Sequence, residues 1–216
     1  CGVWNSAEEI AANPHFSDDA PGGIRIVDTN NDGSLTPEDR VALGTPYPDF
    51  TWGITNTFQI KDFDISFLIQ GVQGITVLNG DVYYNETKKW NKKYTKNRWV
   101  SAEHPGDGKT PYQNVKTGHD LMLTDYPLQN ASYACLRNFT VGYTLPATAA
   151  RKIKLSGVRF YVSGSNLLYI WGSGYKGINP ESRMTSGNYS SAMISGYQRG
   201  GFPLTSTISA GFDINF

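Results

Sequence analysis

Residues 28–39 read DTNNDGSLTPED, a run in which side-chain oxygens recur at every second position of its first half. A calcium loop of the EF-hand type needs oxygen donors at its positions 1, 3 and 5, a glycine at 6 and a carboxylate at 12. Asp28, Asn30 and Asp32 fill the first three places, and Gly33 supplies the sharp turn. Ser34 offers its carbonyl, Thr36 stands where a bridging water often helps, and Asp39 closes the loop. Asp39 replaces the usual Glu and is one methylene shorter, so bidentate capture requires the chain to move closer. The spacing predicts a structural Ca2+ site made by Asp28, Asn30, Asp32, Ser34 and Asp39. The plainer alternative is an Asn/Asp/Gly-rich turn that binds nothing.

A sensor loop sits between two helices. Here the entering segment is PGGIRIV, which reads as strand or turn. The exiting PEDRVALG allows one or two helical turns, and no second hand pairs with the first. Such a loop suits an external clip of weak affinity, on the order of 10⁻⁴ to 10⁻³ M.

Other residues that could do chemistry lack partners. Gly172-Ser-Gly174-Tyr-Lys-Gly177 matches G-x-G-x-x-G, but loop rather than helix follows it, which argues against dinucleotide binding. His15, His104 and His119 lie in loop patterns without metal or triad spacing, so no enzyme is expected. Asp18-Asp19 reads as a solvated pair. The stretch 83–99, YYNETKKWNKKYTKNRW, interleaves rings and bases. Tyr84, Trp90, Tyr94 and Trp99 there suit loop packing first and sugar stacking second. Nucleic acid is disfavoured by a net charge of zero over 216 residues. Cys1 and Cys135 fit neither a zinc pattern nor a disulfide framework, and a single bridge between them stays open. Cys1-Gly2 is compatible with a lipidated start or with a cleaved chain. No run of 18 apolar residues is present, so no membrane helix is expected.

The elements that would position these residues are strands. In STISAGFDINF, Ile208, Ala210, Phe212, Ile214 and Phe216 share one face, and Thr207, Ser209, Gly211, Asp213 and Asn215 the other. Phe50, Trp52, Ile54, Phe58 and Ile60 alternate in the same way, with Asn56 the misfit. So do Phe63, Ile65, Phe67 and Ile69, with Leu68 the exception. Phe139, Val141, Tyr143 and Leu145 oppose Asn138, Thr140, Gly142 and Thr144, and Val158, Phe160 and Val162 oppose Arg159, Tyr161 and Ser163. Arg137 falls on the apolar parity near a rim, where it would snorkel to head groups.

A soluble sandwich also alternates. Here, however, the opposite face is small and hydrophilic, and the patterns run about nine to thirteen residues, the length of a tilted membrane strand. The connections alternate as well: Lys61-Asp62 and PATAARKIKLSG are brief, 72–130 and 171–202 long. Barrels of the outer membrane show this asymmetry of short periplasmic turns and long external loops. Counting back from a last strand that ends in the periplasm puts both brief turns on that side and the calcium loop outside.

Taken in order, several segments resemble the C-terminal part of the SusC-like TonB-dependent transporters. They are GVWNSAEEIAANPH, GGIRIVDTNNDGSLTPEDR, GTPYPDFTWGI, FDISFLIQGVQG, NRWV, ASYACLRNFTVGYTLP, VRFYVSGSNLLYI, GINPE and the final FDINF. The resemblance implies an all-β fold, an antiparallel transmembrane β-barrel of about 22 strands with long extracellular loops, of which this chain supplies about five. It divides the chain into 1–48, an extracellular segment carrying the calcium loop, and 49–216, barrel strands and loops without the plug. It implies an importer of oligosaccharides, or less often peptides, in the outer membrane of a Gram-negative bacterium. Such an importer acts with a SusD-like surface lipoprotein, is energised by TonB through the missing N-terminal part, and joins the remainder of the barrel. Five strands alone would leave two edges unpaired in lipid, so the remainder is expected elsewhere. The rival reading is a soluble, calcium-stabilised β-sandwich that binds carbohydrate.

Overall fold

The computed structural model describes residues 2–82, 96–112, 124–182, 196–198 and 201–216. They form two compact units. One comprises Cys1–Tyr47, Thr76–Asn130 and Ser182–Gly201; the other comprises Pro48–Ile75, Ala131–Glu181 and Phe202–Phe216.

The second unit is a sheet. Its strands are β3 (Phe50–Ile60), β4 (Phe63–Gln73), β7 (Tyr133–Thr144), β8 (Gly157–Trp171) and β10 (Thr207–Asn215). Their order is β10-β8-β7-β4-β3, so each strand pairs antiparallel with its neighbours among the sheet-forming segments of the chain. β-Branched and aromatic residues favour this pleated surface. At about 3.3 Å per residue, an eleven-residue strand tilted by roughly 40° rises some 28 Å, enough for the apolar band of a barrel.

The register turns the alternation of single strands into rows. Ile60 faces Phe63, Phe63 faces Tyr143, Tyr143 faces Phe160, and Phe160 faces Phe212. The next row is Phe58, Ile65, Val141, Val162 and Ala210. Phe63 and Tyr143 rings lie 4.8 Å apart between centroids. These rows are not covered: Phe58 is 46% exposed, Phe160 51%, Val162 53% and Phe212 64%. The inner face of a sandwich would be buried, so the soluble-module reading loses its structural basis.

The brief Lys61-Asp62 turn closes the β3–β4 hairpin, with Lys61 at φ 54°. The other brief connection, expected as a turn, contains a helix, α2 (Ala147–Lys152). Arg151 and Lys152 in its last turn complement the helix dipole, and Ala150 is buried.

The first unit is irregular and holds small elements. β1 (Gly2–Val3) pairs with β2 (Ile24–Arg25), and α1 (Ala7–Ala11) starts at Ser6, whose Oγ accepts from the Glu9 N–H. Trp4 is fully buried there, with the Arg25 guanidinium 5.2 Å above its ring and paired to Glu9. A three-stranded sheet joins β6 (Leu128–Asn130), β5 (Thr76–Asn79) and β9 (Tyr197–Gln198), the last parallel to β5.

Candidate functional site

The acidic loop is closed by its own amides. Asp28 Oδ1 accepts from the Asn31 N–H at 2.7 Å and Oδ2 from the Gly33 N–H at 2.8 Å. Asp32 Oδ1 accepts from Ser34 N–H at 2.8 Å, and Asn30 Oδ1 from Asp32 N–H at 3.0 Å. Gly33 adopts φ +84°, which a residue with Cβ rarely does, so the turn needs glycine. Asp39 joins the two ends: Oδ1 takes the Thr29 N–H and Oδ2 the Thr36 N–H, each at 2.8 Å. These donors, Thr36 first and then Thr29, hold its carboxyl below the usual carboxylate range. Thr36 also caps the 3-10 turn Pro37–Asp39, the short exit element foreseen from PEDRVALG; the entering segment is strand β2.

All the loop's side-chain donors are hard oxygens, the chemistry Ca2+ takes; each Asp28 oxygen keeps a second lone pair beyond the amide it accepts, whereas Asp39 Oδ1 already accepts from the Thr29 N–H, the Thr29 hydroxyl and the Asn30 N–H. Among the described residues no group of three or more His, Cys, Asp or Glu is gathered in the manner of a metal centre. A cation would therefore rely on Asp28, Asn30, Asp32 and the Ser34 carbonyl, with Asp39 closing the loop.

The second cluster lies on the polar side of the sheet, and sequence reasoning missed it. Between Leu136 and Asn138 the register shifts: against β4 Arg137 is the extra residue of a β-bulge, and against β8 it stands opposite Asn166 and Leu167. The bulge re-aims the side chain. Instead of snorkelling from the apolar face, Arg137 donates from Nε to Gln70 Oε1 at 3.1 Å. From Nη1 it donates to Asn166 Oδ1 at 2.8 Å and to the Tyr169 hydroxyl at 2.9 Å. Nη2 pairs with Glu181 Oε1 at 2.5 Å. The snorkelling expectation is corrected by this geometry: parity counted without a bulge assigns the wrong face. Arg137, Asn166 and Glu181 belong to the segments LRN, GSN and NPE, so three of the motif-bearing stretches meet at one guanidinium.

Nearer the brief turns, Arg159 on β8 pairs with Asp64 on β4 and lies 3.5 Å from Asp213 on β10. The signal was present, since all three fall on polar parity in neighbouring strands.

The remaining residues singled out in the sequence have structural places. Trp99 packs against Gly22 and donates from Nε1 to Asn5 Oδ1 at 3.0 Å, the packing role expected. Tyr84, Trp90, Tyr94 and His119 lie outside the described residues. His15 Nδ1 lies 2.8 Å from the Asn13 carbonyl. Asp19 is not merely solvated, because its Oδ2 accepts from the Phe16 N–H at 3.0 Å. Gly172–Gly177 leaves the sheet as loop, with Tyr175 packed edge-on to Trp171. Cys135 is a free, buried thiol; Cys1 lies outside the described residues.

A sheet with one exposed apolar face and one ion-paired polar face defines a wall segment of an antiparallel barrel. No family model matches the sequence. The TonB-dependent receptor P26 of Formosa agariphila is 30% identical over 225 residues, covering 100% of this chain and 22% of that protein. TonB-dependent receptor P3 of the same organism is 30% identical over 206 residues, covering 92% of this chain and 19% of that protein. TonB-dependent receptor SusC of Bacteroides thetaiotaomicron is 27% identical over 157 residues, covering 72% and 15%. Among solved structures, the RagAB peptide importer in its "open-open" state matches with a TM-score of 0.63 at 18% identity, covering 94% of this chain and 20% of that chain. The structure of the RagAB peptide transporter matches at 0.61 and 22% identity, covering 80% and 18%. The chain thus spans about a fifth of the length of the relatives it matches. In sequence it fits the C-terminal segment of a SusC-like TonB-dependent receptor, and in fold it matches the transporter barrels. These relatives are named as receptors and transporters, not enzymes.

Proposed function

We propose that this chain is the C-terminal wall and loop region of a TonB-dependent importer in the outer membrane of a Gram-negative bacterium. The apolar rows running unbroken from Ile60 to Phe212 carry this reading, because a surface so wide and so exposed needs hydrocarbon against it. The polar side, with its ion pairs, then lines water. The substrates are oligosaccharides or peptides; the likeness to structures described as a peptide importer supports the latter class. A SusD-like surface lipoprotein is the external partner, and TonB supplies energy through the part of the importer that precedes this segment. The loop 28–39 acts as a Ca2+ clip on an external segment, a role its hard-oxygen donors support. The experiment is fractionation of the full-length protein: it is expected to sediment with outer membranes, to need detergent, and to migrate differently when unheated. Recovery in the aqueous phase without detergent overturns the reading.

A further inference from the structure

The polar side of β7 and β8 holds one arrangement that building a wall does not require. Three neutral groups, Gln70, Asn166 and the Tyr169 hydroxyl, accept from Nε and Nη1 of Arg137 and orient the guanidinium through atoms other than Nη2. The remaining donor, Nη2, and the Tyr169 O–H converge on a single oxygen, Glu181 Oε1, at 2.5 and 3.0 Å. Two convergent donors, one of them cationic, form a receptor for a carboxylate, and a guanidinium is the group best suited to it. The carboxylate filling it comes from a segment that has already left the sheet beyond Trp171 and is held locally by the Glu181 N–H donating to Asn179 Oδ1 at 2.9 Å. The site is open to water, with the Arg137 and Glu181 side chains 25% and 27% exposed.

We propose that Arg137 and Tyr169 form a carboxylate-binding subsite on the water-lined wall, filled in cis by Glu181 as a tethered stand-in for an anionic ligand. The proposal rests on the importer reading, which makes this face the lumen. The ligand class is a carboxylate-bearing one, either an acidic or free C-terminal peptide or a uronic-acid oligosaccharide. Glu181 competes with it at the high effective concentration that a tether gives. A carboxylate ligand that wins the site frees the 172–181 segment; a neutral ligand leaves it in place.

The test is calorimetric titration of the full-length protein in detergent, wild type and Glu181→Ala. The probes are a free-acid peptide, the same peptide with its C-terminus amidated, a glucuronate trisaccharide and a neutral glucose trisaccharide. Removing the competitor is expected to tighten at least one carboxylate probe by about tenfold and to leave both neutral probes unchanged. Which carboxylate probe responds names the source. Adding Arg137→Gln or Tyr169→Phe to Glu181→Ala is expected to reverse the gain. No gain for either carboxylate probe, or an equal gain for the neutral ones, overturns the proposal. So does a 172–181 segment that becomes protease-sensitive in Glu181→Ala without tighter binding, which would make Glu181 an anchor only. Heat-modifiable migration on the same preparations reports the barrel independently, so failure of the subsite and failure of the importer reading are told apart.

Discussion

The Arg159 guanidinium grips the Asp64 carboxylate with two hydrogen bonds, Nε to Oδ1 at 3.0 Å and Nη2 to Oδ2 at 2.6 Å. The residues belong to β8 and β4, and β7 runs between them. They meet because β7 carries Gly142 under the pair. A Cβ there would lie 2.4 Å from Asp64 Oδ1 and 2.5 Å from Arg159 Nη2. The third carboxylate, Asp213, is 58% exposed at 3.5 Å and contributes little. Gly142→Val is therefore expected to split the fork and lower the stability of the folded barrel by about 1 kcal/mol, given that the pair is a third exposed. Urea unfolding of the full-length protein measures this, and the Asp64→Asn background should abolish most of the difference.

The assignment of faces makes a sharper prediction. Val162 lies in the exposed apolar row next inward from Phe160, whereas its neighbour Ser163 faces Thr140 and Ser209 on the other side. Val162→Arg is expected to cost about 2–4 kcal/mol, as an arginine does toward the middle of a lipid-facing strand. Ser163→Arg is expected to stay within about 0.5 kcal/mol, as a change on a water-lined wall should. The yield of heat-modifiable protein in outer membranes reports both. Equal losses from the two substitutions would contradict the division into lipid and water faces.

Chelation should act locally. Asp28 and Asp32 bond only within the loop, and the five-stranded sheet draws none of its ladder bonds from it. EDTA is expected to speed proteolysis between residues 28 and 39 while the unheated barrel keeps its migration. Asp28→Ala should show the fast cleavage with or without EDTA. Identical cleavage of the wild type in both conditions would remove the metal from the account.

Much of the sheet was legible because a strand exposed to two solvents must alternate strictly, and Phe212, Phe160 and Phe63 do so. The two brief connections marked the pairs β3–β4 and β7–β8, whereas β4–β7 and β8–β10 pair across long segments that carry no such mark. What the alternation could not reveal was the bulge at Arg137. One extra residue flips the parity, and nothing in LRN alone marks it. The signal lay elsewhere, in Gln70, Asn166 and Glu181, polar groups spread over distant segments that only the register brings together. Helix α2 was hidden for a different reason. PATAARKIKLSG opens with proline and is too short for periodicity to speak, so its helix depends on Ala150 finding a buried place. The turn of the acidic loop was the opposite case, since its hydrogen bonds are local and Gly33, at φ +84°, marks it in the sequence.

Asp39 offers a test of that loop through pH. The N–H groups of Thr36 and Thr29 stabilise the ionised carboxylate, so its folded-state pKa lies below the unfolded value of about 3.9. A depressed carboxylate pKa contributes stability that is fully present above the unfolded value and is lost as pH falls through the folded one. The loop should therefore hold its closed form at neutral pH and open in acid below about pH 4. Hydrogen exchange at the Thr29 and Thr36 amides follows this directly, with protection expected to fall once intrinsic exchange is corrected for pH. In Asp39→Asn the amide keeps only one acceptor oxygen for the two N–H groups that the carboxylate serves separately. That variant should lose protection at neutral pH and show no further loss from this group in acid. A wild-type loop whose corrected protection is flat from pH 7 to pH 3 would mean that Asp39 does not close it.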